Sequence, residues 1–330
     1  MIKVGLVGLG GITRVHLDAY RDLENVQLVA AADVRGETSP RYAEAVALGA
    51  RVYSSLDEML EREELDMLDV CTPTPLHAAM AKKGLERGLH VLSEKPMCRT
   101  SRECRELVSL AEKSEKLYMV AHVVRFMKPY AYLRSIVESG ELGRPVHLTF
   151  KRVSSVPRWS YNDWMVGTKE SGGSPLDLSI HDIDFVASVF GNPEKVTGTY
   201  RAYAGKEGFG ANDYISSELV YDGFSVNIIG AQYDVQIPFS AEYTAIFEKG
   251  YVELKGGKVY KCEEEISLEA AAAESKSTGI NISSSSAYTD EIAYFVSCIE
   301  ENKKPDFVTP ESSAESVELV ERILESVVRV

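Results

Sequence analysis

From residue 1 to about 121 the chain alternates short runs that are apolar throughout with longer stretches whose apolar positions recur at helical spacing. The runs are IKVGLVG, QLVAAAD, LDMLDVC, LHVLSE and LYMVAH. Between them lie GITRVHLDAYRDL, TSPRYAEAVALG, SLDEMLERE, PLHAAMAKKGLERG and TSRECRELVSLAEKSE. A strand with no polar face is covered on both sides, and strand–helix alternation supplies the covering helices. The pattern predicts a doubly wound α/β domain around a parallel sheet.

Past residue 121 the periodicity changes. A helix over KPYAYLRSIVESG leads into RPVHLTFKRV, a strand with polar–apolar alternation. A loop holding both tryptophans follows, then a helix through SPLDLSIHDIDFVASVFG. Next come KVTGTYRAYA, DYISSELVY, FSVNIIGAQY, YTAIFEKGYVEL and KVYKC, separated by turns such as YDGF and EKGY, which predicts an antiparallel sheet. Segment 270–286 is low in complexity and predicts a loop. Helices near 287–301 and 310–327 close the chain, with Thr309 as N-cap of the second.

At 330 residues the chain exceeds what one core usually holds. We divide it into a dinucleotide-binding domain over 1–121 and a substrate-binding and oligomerisation domain over 122–330, with the last helix returning to the first domain. The 36 Lys and Arg against 50 Asp and Glu leave a net charge of −14, which argues against a nucleic-acid or anionic-membrane partner. No apolar run approaches the ~18 residues of a membrane span, and MIKVGLVGLG reads as a strand rather than a signal peptide. The five cysteines form no C-x-x-C pair and read as reduced cytoplasmic thiols. The six dispersed histidines predict no metal site.

Four stretches carry candidate chemistry. In GLVGLGGIT, Gly8, Gly10 and Gly11 follow a strand and open a helix at Ile12, the arrangement that brings backbone amides to a pyrophosphate. Thr13 replaces the third glycine of that Rossmann fingerprint and is expected to loosen helix–sheet packing. Asp33 ends the second strand, where an acid takes the adenosine ribose hydroxyls and repels a 2′-phosphate, so NAD is preferred over NADP. Arg35 reads as a solvated loop charge, with adenine stacking or a phosphate contact as alternatives. CTPTPLH leaves Thr72 and Pro73 at the carboxyl edge of the sheet, the ligand crevice of open α/β folds. His77 there reads as packing or capping. SEKP lies on the same rim: Glu94 pairs with Lys95 or with the nicotinamide ribose, and Lys95, extended before proline, points into the crevice. In GGSPLDLSIHDID, Ser174 reads as an N-cap with Pro175 at the first helical position. Asp177 and His181 then share a face at i, i+4, with Asp184 continuing it. Ser174-x-x-Asp177 also matches a capping box, and His181 also reads as a core histidine. The two glycines before Ser174 predict close approach of another group.

Together GLGGIT, Asp33, CTPTPLH, GLHVLSEKP, VVRFMKPYAYLRSIVESGELGRPV and GGSPLDLSIHDID resemble the Gfo/Idh/MocA family of oxidoreductases over residues 1 to about 190. The family is named for glucose-fructose oxidoreductase, inositol dehydrogenase and rhizopine catabolism proteins. Thr13 and VVRF depart from its commonest forms. The resemblance implies that Lys95, Asp177 and His181 form the catalytic group. It also implies a C-terminal α/β domain whose large, mostly antiparallel sheet joins a homodimer or homotetramer. The expected reaction is hydride transfer between a nicotinamide and a secondary alcohol of a sugar, polyol or related compound. Arg125, Arg158, Tyr161 and Trp164 are the candidate substrate contacts. An NAD-binding regulator and a transient-redox glycosidase are the alternatives within this fold.

Overall fold

The computed structural model describes residues 1–166, 168–202, 213–268 and 285–330. Six strands form the first sheet: β1 (Ile2–Val7), β2 (Val26–Ala32), β3 (Arg51–Tyr53), β4 (Met67–Val70), β5 (His90–Glu94) and β6 (Tyr118–Ala121). All pair in parallel, in the order β3-β2-β1-β4-β5-β6. Helices α1 (Thr13–Asp22), α2 (Tyr42–Ala47), α3 (Leu56–Arg62), α4 (His77–Glu86) and α5 (Ser101–Lys113) make the crossovers. Every residue of β4, β5 and β6 is buried, as continuous apolar runs require of a doubly covered sheet. The alternation did not reveal β3, whose three residues are exposed or half-buried. The helix starts follow local chemistry. At α5 the Thr100 hydroxyl accepts from the Glu103 amide and the Glu103 carboxylate accepts from the Thr100 amide.

The second sheet has nine strands in the order β14-β13-β12-β11-β7-β10-β9-β8-β15. These are β7 (Pro145–Ser155), β8 (Lys195–Ala202), β9 (Asp213–Tyr221), β10 (Phe224–Tyr233), β11 (Ser240–Phe247), β12 (Gly250–Lys255), β13 (Lys258–Lys261), β14 (Glu264–Ile266) and β15 (Val328–Arg329). Most neighbours are antiparallel, as the alternation predicts, while β7–β10 and β8–β15 run parallel. Burial along β9 alternates residue by residue, so one face is core and the other open. Over the core face lie α6 (Lys128–Ser139), the short α7 (Thr168–Ser171), and a π-turn (Ser174–Ser179) that runs into α8 (Ile180–Phe190). Tyr130, Phe150, Phe185 and Tyr243 stack and edge against one another there, with ring centroids 5.0–6.4 Å apart. Burying a large apolar side chain contributes about 1.5–3 kcal/mol, so this cluster anchors the helices to the sheet. Helices α9 (Ser285–Glu300) and α10 (Pro310–Ser326) close the chain. The Thr309 hydroxyl accepts from the Ser312 amide, the N-cap that VTPE predicts. The loop expected over 270–286 falls outside the described residues except for its last two positions, which begin α9.

Packing divides the chain into two units, Met1–Val123 with Ser285–Glu315, and Val124–Ser284 with Ser316–Val330. The segment that returns to the first unit is therefore α9 and the start of α10, whereas the expectation assigned the return to the last helix. Beyond the boundary, the Ser316 hydroxyl donates to Asp184 Oδ1 within the second unit.

Candidate functional site

In the first unit, the ends of β2 and β4 flank the fingerprint turn that follows β1. Gly8 takes φ +98°, and a Cβ there would meet the Cys71 carbonyl oxygen at 2.5 Å, so only glycine lets β1 and the strand end after β4 approach this closely. A Cβ at Gly10 would meet nothing within 4 Å, which leaves its outer side open to a ligand. No side chain caps the start of α1, and no acid stands in its first turn. Its amides thus keep the positive pole that binds a pyrophosphate. Thr13 corrects the expectation of loose packing: it is fully buried, and its hydroxyl donates to the Gly8 carbonyl, closing the turn from inside.

Asp33 lies at the tip of β2, buried, with Oδ2 accepting from the Leu9 amide at 2.8 Å. Arg35 grips the same carboxylate, Nε to Oδ1 at 2.9 Å and Nη2 to Oδ2 at 2.8 Å. Burial pushes the carboxyl up, but the Arg35 and Leu9 donors outweigh it and hold it at about 2. Arg35 is therefore a partner of Asp33 and not a solvated loop charge.

Thr72 and Pro73 are half-buried at the end of β4, and the Thr72 hydroxyl is buried without a hydrogen-bond partner. His77 is buried beneath both rim loops, Nε2 lying 2.8 Å from the Thr72 carbonyl and Nδ1 2.8 Å from that of Pro96. Burial lowers its pKa against the pull of those carbonyls and Glu94. Lys95, half-buried, follows β5, and the Lys95–Pro96 peptide bond is cis. Glu94 Oε2 accepts from the Lys95 backbone amide at 3.1 Å, and Oε1 lies 3.1 Å from His16 Nε2.

Behind Glu94 lies a network that motif reading missed. His16 Nδ1 is 2.8 Å from Asp69 Oδ2, which also accepts from the Tyr20 hydroxyl at 2.7 Å, and His16 and Asp69 are fully buried. Burial works against a charged imidazole, but the Asp69 carboxylate more than offsets it, and the pKa of His16 is raised well above its usual value. Two signals point to the network: an aspartate inside the apolar run LDMLDV, and His16 and Tyr20 spaced i, i+4 on the buried face of α1.

In the second unit, Asp177 stands in the π-turn and His181 in the first turn of α8, both buried. The i, i+4 spacing thus passes through a widened turn, a distortion frequent at functional sites. The capping box is absent. Ser174 is the first residue of the turn, and its amide is capped instead by Asp213 Oδ2 from the start of β9. Asp177 Oδ2 accepts from Gln232 Nε2 at 3.1 Å, on β10 directly opposite Asp213. The close approach predicted by the two glycines is local. Gly172 takes φ +81°, and a Cβ there would meet that of Leu176 at 2.6 Å. Gly230 admits a second approach, its missing Cβ standing where Ser179 Oγ lies.

The candidate substrate contacts separate. Arg125 is buried in a bidentate pair with Asp184, at 2.7 and 2.8 Å, so the guanidinium braces α8 and Asp184 is not part of a reactive face. A second buried pair, Arg152 with Asp182, shares Asp182 with the Tyr130 hydroxyl. Arg158 pairs with Asp234 on the surface. Tyr161 is exposed, Trp164 is half-buried, and a short 3₁₀ turn, Tyr161–Asp163, carries Tyr161. The five cysteines are unpaired.

The donor set of the first unit fits a dinucleotide: an open glycine turn, an uncapped helix start, an ionised acid at the ribose position and an orphaned buried hydroxyl on the same rim. Comparison with known proteins agrees. Residues 2–122 match the model of the oxidoreductase family with an NAD-binding Rossmann fold, and residues 130–253 match the GFO/IDH/MocA C-terminal domain. An inositol 2-dehydrogenase of Rhizobium meliloti is 29% identical over 223 residues, which is 66% of this chain and 64% of the relative. A glucose-6-phosphate 3-dehydrogenase of Bacillus subtilis is 29% identical over 206 residues, 61% of this chain and 57% of the relative. The matched stretches thus span less than two thirds of these relatives' lengths. Among solved structures, an oxidoreductase of Thermotoga maritima superposes with a TM-score of 0.83 at 22% identity, covering 98% of this chain and 96% of its own. A biliverdin reductase of Synechocystis in complex with biliverdin and NADP+ reaches 0.82 at 18% identity, covering 99% of both chains. Among the described residues no helix is long and apolar enough to cross a membrane. The chain belongs to the Gfo/Idh/MocA family of NAD-binding oxidoreductases.

Proposed function

We propose that the protein is an NAD-dependent dehydrogenase acting on a secondary alcohol of a sugar, polyol or related polyhydroxy compound. The observation that carries this reading is the position of Lys95. Its turn follows β5 at the carboxyl edge of the parallel sheet and is tied through His77 to Thr72, on the rim that the fingerprint turn shares. The first unit serves the cofactor and the second the substrate. Gly8, Gly10, Gly11, Ile12 and Thr13 form the pyrophosphate turn, Asp33 takes the adenosine ribose, and Thr72, Pro73 and Glu94 line the nicotinamide side. NAD, when bound, supplies the hydride acceptor.

The chain's residues manage the proton and the charge. His181 removes the hydroxyl proton, and Asp177, held by Gln232, orients it. The Lys95 ammonium stabilises the negative charge that develops on the substrate oxygen. NAD is preferred over NADP because Asp33 stays ionised at neutral pH and repels a 2′-phosphate. The open face of the nine-stranded sheet, with Ile229, Thr244 and Ile246, forms a homodimer or homotetramer contact, which sedimentation checks.

Inositols, aldoses, deoxy sugars and amino sugars, each with NAD, test the reaction through NADH absorbance. One or more should reduce NAD stoichiometrically, and His181→Ala should lower kcat by ~10²–10⁴-fold. Release of a sugar from a glycoside with no net NADH would replace this reading with a transient-redox glycosidase.

A further inference from the structure

Lys95 acts at a reacting oxygen only if its backbone is held, because a displacement of about 1 Å at a catalytic group costs roughly 10²-fold in rate. The residues on either side of it are held by buried histidines that no motif above assigns to catalysis. On one side Glu94 uses Oε2 to accept from the Lys95 amide, and its Oε1 lies 3.1 Å from His16 Nε2. On the other side the Pro96 carbonyl lies 2.8 Å from His77 Nδ1. We propose that His16 and His77 are positioning residues for Lys95, gripping its turn from both flanks. The proposal rests on the dehydrogenase reading for what Lys95 does, but not for how its turn is held.

His16 faces Asp69 from β4, Glu94 from β5, Tyr20 from α1 and the Tyr288 ring from α9, whose centroid is 6.2 Å away. A carboxylate accepts and does not donate, so an imidazole between two of them carries protons on both nitrogens. An imidazolium there donates from Nδ1 to Asp69 and from Nε2 to Glu94, which fixes the direction of both bonds. His16, Asp69 and Cys71 also place ligand-type atoms within 4.8 Å of one another. Burial pushes the Cys71 thiol up to about 12, so a metal would have to displace protons from both His16 and Cys71, which zinc analysis of the purified protein tests. His77 joins α4 to both rim loops, with Nδ1 2.8 Å from the Pro96 carbonyl and Nε2 2.8 Å from the Thr72 carbonyl.

Amide exchange followed by mass spectrometry on the protein without cofactor reads the grip directly. In His16→Phe and His77→Phe, peptides over 91–98 should exchange about tenfold faster or more, while peptides from the nine-stranded sheet should not change. With the best alcohol from the substrate panel, kcat should fall roughly 10²-fold, and the NAD dissociation constant should stay within about threefold. If a Phe variant fails to fold, His16→Gln and His77→Gln, which keep one donor each, should show the same changes in smaller measure. Wild-type exchange over 91–98 in folded variants overturns the proposal, whichever reaction the enzyme runs. Equal acceleration across the whole chain overturns it too, reducing the histidines to general stability. Stoichiometric zinc in the purified protein, lost in His16→Gln, would overturn the imidazolium assignment. Faster exchange with no alcohol oxidised by any panel member would keep the grip and remove the dehydrogenase reading.

Discussion

Asp33 and Arg35 show how one residue's neighbours set its use. The carboxylate has its two oxygens engaged by Arg35 and the Leu9 amide, so the proposed preference for NAD would rest on a pair and not on an acid alone. Asp33→Ser should release the guanidinium for a 2′-phosphate. Titration calorimetry is expected to show the NAD preference narrowing by about tenfold or more, and an unchanged ratio of the two constants would exclude Arg35 from recognition. Lys95→Met should cost ~3 kcal/mol or more in transition-state binding, seen mainly in kcat with NAD affinity kept, because the ammonium matters once charge develops. Turnover at the wild-type rate would make SEKP an ordinary turn. The places of the fingerprint glycines, Asp33 and Lys95 at strand ends were legible, because the apolar runs that precede them mark where each strand stops. Arg125 was not. Its partner Asp184 is 59 positions away, and nothing local marks a buried arginine.

At the scale of elements, the helix that bears Asp177 and His181 begins on a borrowed cap. Ser174 looks like the cap in sequence, but it is the first residue of the turn itself, and Asp213 accepts from its amide. Burial raises the Asp213 carboxyl to about 6, with Asp177 adding to the rise and the Ser174 and Tyr200 donors opposing it. In the unfolded chain the same group titrates near 3.9. Between those values the folded state binds more protons than the unfolded one, so stability falls as pH climbs from about 4 to about 6, and the loss is complete above that. Asp213→Asn keeps an oxygen for the Ser174 amide and removes the charge. Thermal melts should show the variant gaining on the order of 2–3 kcal/mol relative to wild type at pH 8 and nothing at pH 4. A gap that does not vary with pH would place the burden elsewhere. Long periodic elements were readable from their pattern. The strands β3, β14 and β15 were not, since two or three residues with no buried apolar run leave no period to detect. The π-turn carries no local signal: Gly230 on β10 admits Ser179 at its end, a contact that crosses 51 positions of sequence.

The whole chain shows why an alternating pattern identifies a domain without closing it. Residues 1–121 announce the parallel sheet, yet the first unit includes 285–315 as well. The amphipathic pattern of α9 says that it packs and not against what. In the structure it lies on α1, with Tyr288 beside His16 and Glu300 accepting from Asn25 Nδ2 at 2.9 Å. Ile292, Phe295 and Val296 are buried along it. If this helix completes the core of the cofactor-binding unit, Phe295→Ala should cost about 3–5 kcal/mol by urea denaturation, the usual cost of a large cavity. NAD binds only the folded unit, so at 100 times its dissociation constant it should return about 2.7 kcal/mol to wild type and variant alike. Both tryptophans, Trp159 and Trp164, lie in the second unit, so NAD-binding capacity is the readout for the first. The expected pattern is a lowered midpoint for NAD-binding capacity in Phe295→Ala, restored in part by added NAD. A variant that retains NAD binding to the wild-type urea midpoint would take α9 out of the first unit's core and leave residues 1–123 to fold without it.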